Sequence, residues 1–400
     1  MPSTGQNNNN PQGVHFVGSL PLPTTRDVFK LLGSTMASHI GRMPDGEPAS
    51  RGLFVAFQRE LFLPYPQLIN TRHNPTPTSG QPLPNVDEVT RYLETLETGY
   101  DAAAIESYAT FAEMRAAGVI PPGGVKFQVC IATPLNTITA TISQNYKAYV
   151  EPHYTAALVR SLERIQAEIP HADLAVQIDC AHEFAVLEEV WTRMDGMERS
   201  KPWWCDVDSN HHHPADGEEE EEEEDLHETI FRGVVDRIVS FAGGSHIAGD
   251  VELGLHLCYG DFGHKHFIEP TDMGMMVRVA LAVLPRLARR LDYIHMPVPK
   301  ERDDAAYFAP LRKLLPLLRE GGTVLYLGLV RENDEAGTKR RIETARKVID
   351  GLGEQDRNGG GGGGGNITWG IATECGMGRM KPEDVPGTLE MMKKLARPIR

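Results

Sequence analysis

A single α/β domain, a (β/α)8 TIM barrel with a disordered acidic insertion, is the fold class this sequence predicts. Three observations lead there. Short, nearly continuous apolar runs rich in Val, Ile and Leu recur along the chain, as strands buried on both faces require. Nearly every run is followed by a stretch of helical periodicity, which is the βα repeat of a parallel sheet covered by helices. The runs number seven or eight, which favours a closed barrel over an open doubly wound sheet, the alternative architecture. There is no G-x-G-x-x-G after the first run and no internal repeat.

Taken in order, the strand candidates are "VHFVGSL" (14–20), "KFQVCIAT" (126–133), "DLAVQIDC" (173–180), "ELGLHLCY" (252–259), "LDYIHMPV" (291–298), "TVLYLGLV" (323–330) and "NITWGIATEC" (366–375). An eighth run, "GLFVAF" at 52–57, fits a strand less well and reads equally as helix. Helices are predicted over 25–40, 154–169, 226–242, 273–291, 307–320 and 337–352, where apolar positions recur at helical spacing. Residues 1–13 read as a disordered Asn-rich tail and 14–400 as the barrel domain. Two low-complexity loops interrupt it, 205–226 and the glycine run within 358–365. Neither can bury enough apolar surface to order itself. The His211–His213 triplet sits beside the acid tract in the first of them and reads as linker.

Charge narrows the partners. The formal net charge is −15, but Glu218 to Asp225 supplies eight acids, leaving about −7 for the rest. That balance lacks the clustered Lys and Arg of a nucleic-acid footprint. No apolar run reaches the roughly 18 residues of a membrane span. The polar start has no signal-peptide character. Five scattered cysteines make no disulfide framework, so a reducing, cytoplasmic setting is expected.

In barrels of this kind the chemistry sits at the C-terminal ends of the strands. Unusual residues collect there: Gly18 and Ser19, then Asp179 and Glu183, then His256 and Cys258, then His295, and finally Glu374 and Cys375. Strand alternation puts His256 and Cys258 on one face, about 7 Å apart. Imidazole nitrogen and thiolate sulfur are zinc donors, and a catalytic zinc keeps one position open. H-x-C alone also fits a satisfied core histidine beside an inert thiol. Cys375, on the strand that closes against the first, strengthens the zinc reading. Cys130 and Cys180 read as small packed hydrophobes.

The motifs, in this order, resemble the C-terminal catalytic barrel of cobalamin-independent methionine synthase and its short homologues, across most of residues 14–380. "VGSLPLPTTRDVF" is similar to that family's opening Ile-Gly-Ser strand, which contacts the amino-acid substrate. "PDGEPASRGLFVAF" resembles its Gly-Glu segment, and the resemblance makes Glu47 a contact for the substrate amino group. "IATPLNTIT" is similar to its Gly-Pro-Val-Thr turn, and "AVQIDCAHE" to its Gln-Ile-Asp-Glu-Pro strand, which implies Asp179 as a substrate ligand. "LHLCYGDF" looks like the His-x-Cys-Tyr zinc motif and "ATECGMGR" like the zinc cysteine segment. The resemblance thus implies zinc held by His256, Cys258 and Cys375. It also implies a small thiol or amino-acid-like substrate, bound through Gly18, Ser19, Glu47 and Asp179. Asp179 and Glu183 are the expected catalytic carboxylates. In that family zinc lowers the pKa of a thiol, whose thiolate attacks a methyl donor.

Two departures stand out. The family's glutamate ligand after strand six aligns with Pro297, which cannot bind a metal; His295 and Glu301 are the candidate substitutes, with water or substrate as the other option. The family's catalytic histidine after strand seven aligns with "LGLVRENDE", which contains none. The N-terminal half of the long enzymes has no counterpart in these 400 residues. The function expected from the sequence is therefore zinc-dependent alkyl or methyl transfer to a thiol, with the donor open. The alternatives are a carbon–sulfur lyase, alkyl transfer from a non-folate donor, or a barrel that binds a small molecule without turnover.

Overall fold

The computed structural model describes residues 10–71, 75–190, 201–205, 219–260, 266, 268–357 and 367–400. The acidic stretch 206–218, the glycine run and residues 1–9 lie outside the described residues.

Eight parallel strands form a nearly closed ring surrounded by helices. They are β1 Val14–His15, β2 Arg42–Pro44, β3 Lys126–Ala132, β4 Leu174–Cys180, β5 Glu252–Leu257, β6 Tyr293–Pro297, β7 Val324–Val330 and β8 Trp369–Thr373. Their spatial order is β1-β8-β7-β6-β5-β4-β3-β2. The ring closes between β1 and β2 through one parallel bridge, Ser19 to Gly46, where the Leu20 amide donates to the Gly46 carbonyl at 3.0 Å. Outside lie α1 Thr25–Thr35, α2 Val86–Glu94, α3 Tyr100–Ala116, α4 Pro134–Thr141, α5 Lys147–Glu168, α6 His182–Leu187, α7 Glu219–Ala242, α8 Gly274–Val283, α9 Ala305–Phe308, α10 Leu315–Gly321, α11 Glu335–Arg357 and α12 Val385–Leu395. None of the described helices is long and apolar enough to cross a membrane.

Several expectations shift. The second strand is Arg42–Pro44, and 52–57 lies within a 3-10 segment, Ala49–Phe62, kinked at Leu53 and Phe54. Residues 10–13, read as tail, are tied down: Gln12 bridges Arg397, and the Gly13 amide donates to its carbonyl at 2.9 Å. α7 spans Glu219–Ala242 and so takes in residues before the predicted start at 226. Pro310 and Pro316 break the predicted 307–320 helix into α9, a 3-10 turn and α10, since proline cannot donate within a helix.

The apolar halves of the strands pack outward against the helices, and the barrel interior is polar. Arg42 lies across it, hydrogen-bonded to Glu252 and stacked 3.8 Å over the Tyr293 ring. Above it His15 meets Gln177 at 2.8 Å and stacks on Tyr326. The Gln177 amide donates to the Val17 carbonyl at 2.6 Å and to Asp179 at 2.8 Å. Every buried polar group needs a partner, so this column sets strand register as well as filling space. Gly254 supplies the room: a Cβ there would lie 2.0 Å from the Tyr293 ring.

Candidate metal centre and adjoining pocket

Strand pairing draws one row of residues around the ring: Ala132, Asp179, His256, His295 and Tyr326 are successive register partners from β3 to β7. The metal-type residues occupy this row and the turns just beyond it. Cys258 follows β5 and Cys375 follows β8, and their sulfur atoms are 3.7 Å apart. His256 Nε2 is 4.0 Å from the Cys375 sulfur, and all three ligand atoms lie within 4.8 Å of one another. His256 and Cys258 are buried and Cys375 is partly exposed. The turn carrying Cys375 is fixed by the Thr373 hydroxyl, which donates to the Cys375 carbonyl at 2.6 Å.

His295 stands behind His256. The two Nδ1 atoms are 2.7 Å apart, and His295 Nε2 is 3.1 Å from the Thr373 carbonyl. Burial holds both imidazoles neutral: His256 lies well below the ordinary range, with His295 adding to the effect, and His295 is pushed down to about 3. Both ring nitrogens of His295 are thus engaged, and among the described residues it falls in neither ligand group. Glu301, the other candidate fourth ligand, is exposed in the turn after β6 and also lies outside the group.

A second set of side chains forms the adjoining pocket. Glu47, Arg51, Phe54, Phe57, Tyr100, Cys130, Ala132 and Asp179 line it. Glu47 reaches it from the loop after β2, where Gly46 and Glu47 both take positive φ (84° and 50°). A Cβ on Gly46 would meet Val28 at 2.5 Å, so glycine is required there. Gly18 admits the carboxylate in the same way, since its Cβ would sit 3.1 Å from Glu47 Oε1. Burial, then Asp179 and Asp45, hold Glu47 well above the usual carboxylate range, while Arg51 opposes this. Asp45 itself is paired with Arg51 at 2.7 Å and with the Ser107 hydroxyl at 2.8 Å. Burial raises Asp179 to about 7 against the Gln177 hydrogen bond. Two acids this close, Asp179 buried and Glu47 half-buried, resist ionising together, so the pocket is suited to a proton or a cation. The Cys375 sulfur also acts on Glu47, which makes the two sites neighbours.

The other expected residues fall as follows. Ser19 is at the seam, its carbonyl accepting from the Met377 amide at 2.8 Å and its hydroxyl from Gly378 at 3.2 Å. Glu183 is fully buried apart from the pocket, held by the Thr133 hydroxyl and by Asn136 at 3.3 Å. Cys130, read as packing, lines the pocket beside the two acids. Glu374 is buried just beyond β8, ion-paired with Arg331 and 2.5 Å from His266 Nε2. Trp203 and Trp204 anchor against α5 and α7 through Glu151 and Arg237. Tyr100 was missed because a helix-start tyrosine carries no site signal on its own.

Fold and site together define a (β/α)8 barrel with a His-Cys-Cys cluster beside a pocket lined by two acids, Glu47 and Asp179. No family model and no curated protein matches the chain. Among solved structures, one similar to it is a B12-independent methionine synthase from Shewanella sp. W3-18-1 in complex with selenomethionine. Identity is 14% and the TM-score 0.38, over 72% of this chain. The chain spans 64% of that protein's length, less than two thirds.

Proposed function

We propose that this barrel is a zinc-dependent transferase that alkylates, and most simply methylates, the thiol of a small amino-acid-like substrate. The observation that carries the reading is the convergence of His256 Nε2 and the Cys258 and Cys375 sulfurs within 4.8 Å, next to the Glu47–Asp179 pocket. The donor set fits zinc: one neutral imidazole with its unshared nitrogen toward two sulfurs, and no fourth ligand in the group among the described residues. Zinc bound there supplies a Lewis acid that lowers the pKa of a substrate thiol and makes it nucleophilic at neutral pH.

The chain's own residues supply the rest. Glu47 and Asp179 take the ammonium of the substrate, whose charge offsets the repulsion between them. Phe54, Phe57 and Tyr100 shield this end from water, which strengthens the pairing. Ser19, fixed to the loop after β8, holds that loop and its cysteine at the pocket edge. The loop after β7, residues 331–334, offers Arg, Glu, Asn and Asp but no histidine to protonate a leaving group. This favours a donor whose leaving group departs neutral, such as a sulfonium, over a folate.

Metal analysis of the purified protein with X-ray absorption, with and without added thiols, tests the site. About one zinc per chain, with a nitrogen–sulfur sphere that gains a sulfur on thiol addition, is expected. Cys258→Ser and Cys375→Ser should each lose zinc and reduce alkyl transfer by at least about 100-fold, the upper end for losing support of a metal site. A protein without zinc whose serine variants stay active sinks the reading. Methyl transfer from methyltetrahydrofolate to homocysteine in a donor screen excludes the sulfonium version alone.

A further inference from the structure

We infer that His295 is a positioning residue that sets the tautomer of His256, so that the bare Nε2 faces the two cysteine sulfurs. The inference rests on the proposed metal site and adds what that reading does not contain: how the imidazole ligand is prepared before any metal arrives.

The argument is a chain of three contacts in which each proton position follows from the last. The Thr373 carbonyl can only accept, so the His295 nitrogen 3.1 Å away, Nε2, carries the proton. A neutral His295 then presents a lone pair at Nδ1. Facing it at 2.7 Å is His256 Nδ1, which must bring the hydrogen. A neutral His256 with its proton on Nδ1 has an unshared pair on Nε2, the atom turned toward Cys375 and within reach of both sulfurs. A ligating histidine whose other ring nitrogen donates to a fixed acceptor is the usual outer support of a metal site, though carboxylates and carbonyls are the commoner acceptors. Here a second imidazole takes that place.

Thr373 makes the arrangement rigid. Its carbonyl holds His295, and its hydroxyl holds the Cys375 backbone. One residue at the end of β8 therefore ties the histidine arm to a cysteine arm. The parallel register supplies the rest, because His256 and His295 are direct Cα partners on β5 and β6. Neither ring can turn without breaking a buried hydrogen bond, since both side chains are almost fully enclosed.

The deciding measurement needs no metal. In metal-stripped protein labelled with 15N-histidine, long-range proton–nitrogen correlation should find His256 protonated on Nδ1, the signal being assigned by its loss in His256→Ala. His295→Leu removes the acceptor. It should leave a mixed His256 tautomer and raise the zinc dissociation constant about 10- to 100-fold in competition with a chelator. His295→Gln, whose side-chain oxygen can accept from Nδ1–H, should recover part of the affinity and the Nδ1–H form. A His256 proton on Nε2 in the wild-type protein overturns the inference. So does a His295→Leu protein with unchanged tautomer and zinc affinity. If the leucine variant fails to fold, the wild-type tautomer decides. A wild-type protein that binds no zinc but keeps His256 in the Nδ1–H form removes the proposed function and leaves the tautomer relay standing.

Discussion

Glu183 illustrates how a side chain's environment assigns its work. Its carboxyl is fully buried, accepts from Thr133 and Asn136, and is raised by burial to about 7. The folded chain therefore keeps a proton that the unfolded chain, with an ordinary value near 4.5, has already released. Stability from this group is full below about pH 4.5 and falls as pH rises toward 7. The change is worth about 3 kcal/mol at most for a group this buried. Glu183→Gln should flatten that part of the stability–pH curve, as followed by urea unfolding from pH 4 to 8. An unchanged slope would place the carboxyl in a solvated setting. The convergence of His256, Cys258 and Cys375 was legible because H-x-C and a late cysteine fall at strand ends. The contact of His295 with His256 was not, since it depends on a ring nitrogen meeting a partner on the next strand. Cys130 was hidden for a related reason: a small thiol in an apolar strand looks the same whether it faces a helix or a pocket.

At the scale of elements, the long strands β3, β4, β5 and β7 were readable because their apolar runs are continuous. β2 was not, for "RMP" is three residues ending in proline, and only its pairing with β3 makes it a strand. Its anchor is a side chain that crosses the interior. Arg42 binds Glu252 at the start of β5 and lies over Tyr293 on β6, so the weakest strand is held from across the barrel. Arg42→Met should cost about 3 kcal/mol in denaturant unfolding, because it leaves a largely buried carboxylate with only Lys126, 4.0 Å away, for compensation. The double variant with Glu252→Met should regain a part of that loss, as replacing both members of a buried pair often does. Equal losses in the single and double variants would mean that the stacking, and not the ion pair, fixes β2.

Across the whole molecule, the ring is uneven. β4 and β5 share six register pairs, whereas β1 contributes two residues to β8 and reaches β2 through one bridge. The seam is reinforced from the chain end: the Arg397 amide donates to the Pro11 carbonyl and the Ile399 amide to Ser38, both at 2.9 Å. It is also where the pocket is built, with Gly18 and Ser19 arriving from one side, Glu47 from the other, and the Cys375 loop resting on Ser19. Hydrogen bonds flanked by few others open at lower free energy than those inside a continuous ladder. Native-state hydrogen exchange should therefore find the Leu20 amide at the seam among the fastest in the barrel, and the β4 amides among the slowest. Truncation after Leu395 should speed exchange at Val14 and Ile371 far more than in β4, because it removes the partners of Gly13 and Pro11. Under the proposed function, a thiol amino acid held by Glu47 with its sulfur beside Cys375 would bridge residues on both sides of the seam and slow exchange there selectively. Uniform protection around the ring, or a truncated chain that opens everywhere at once, would show that the barrel behaves as one closed unit and that the pocket gains nothing from its position.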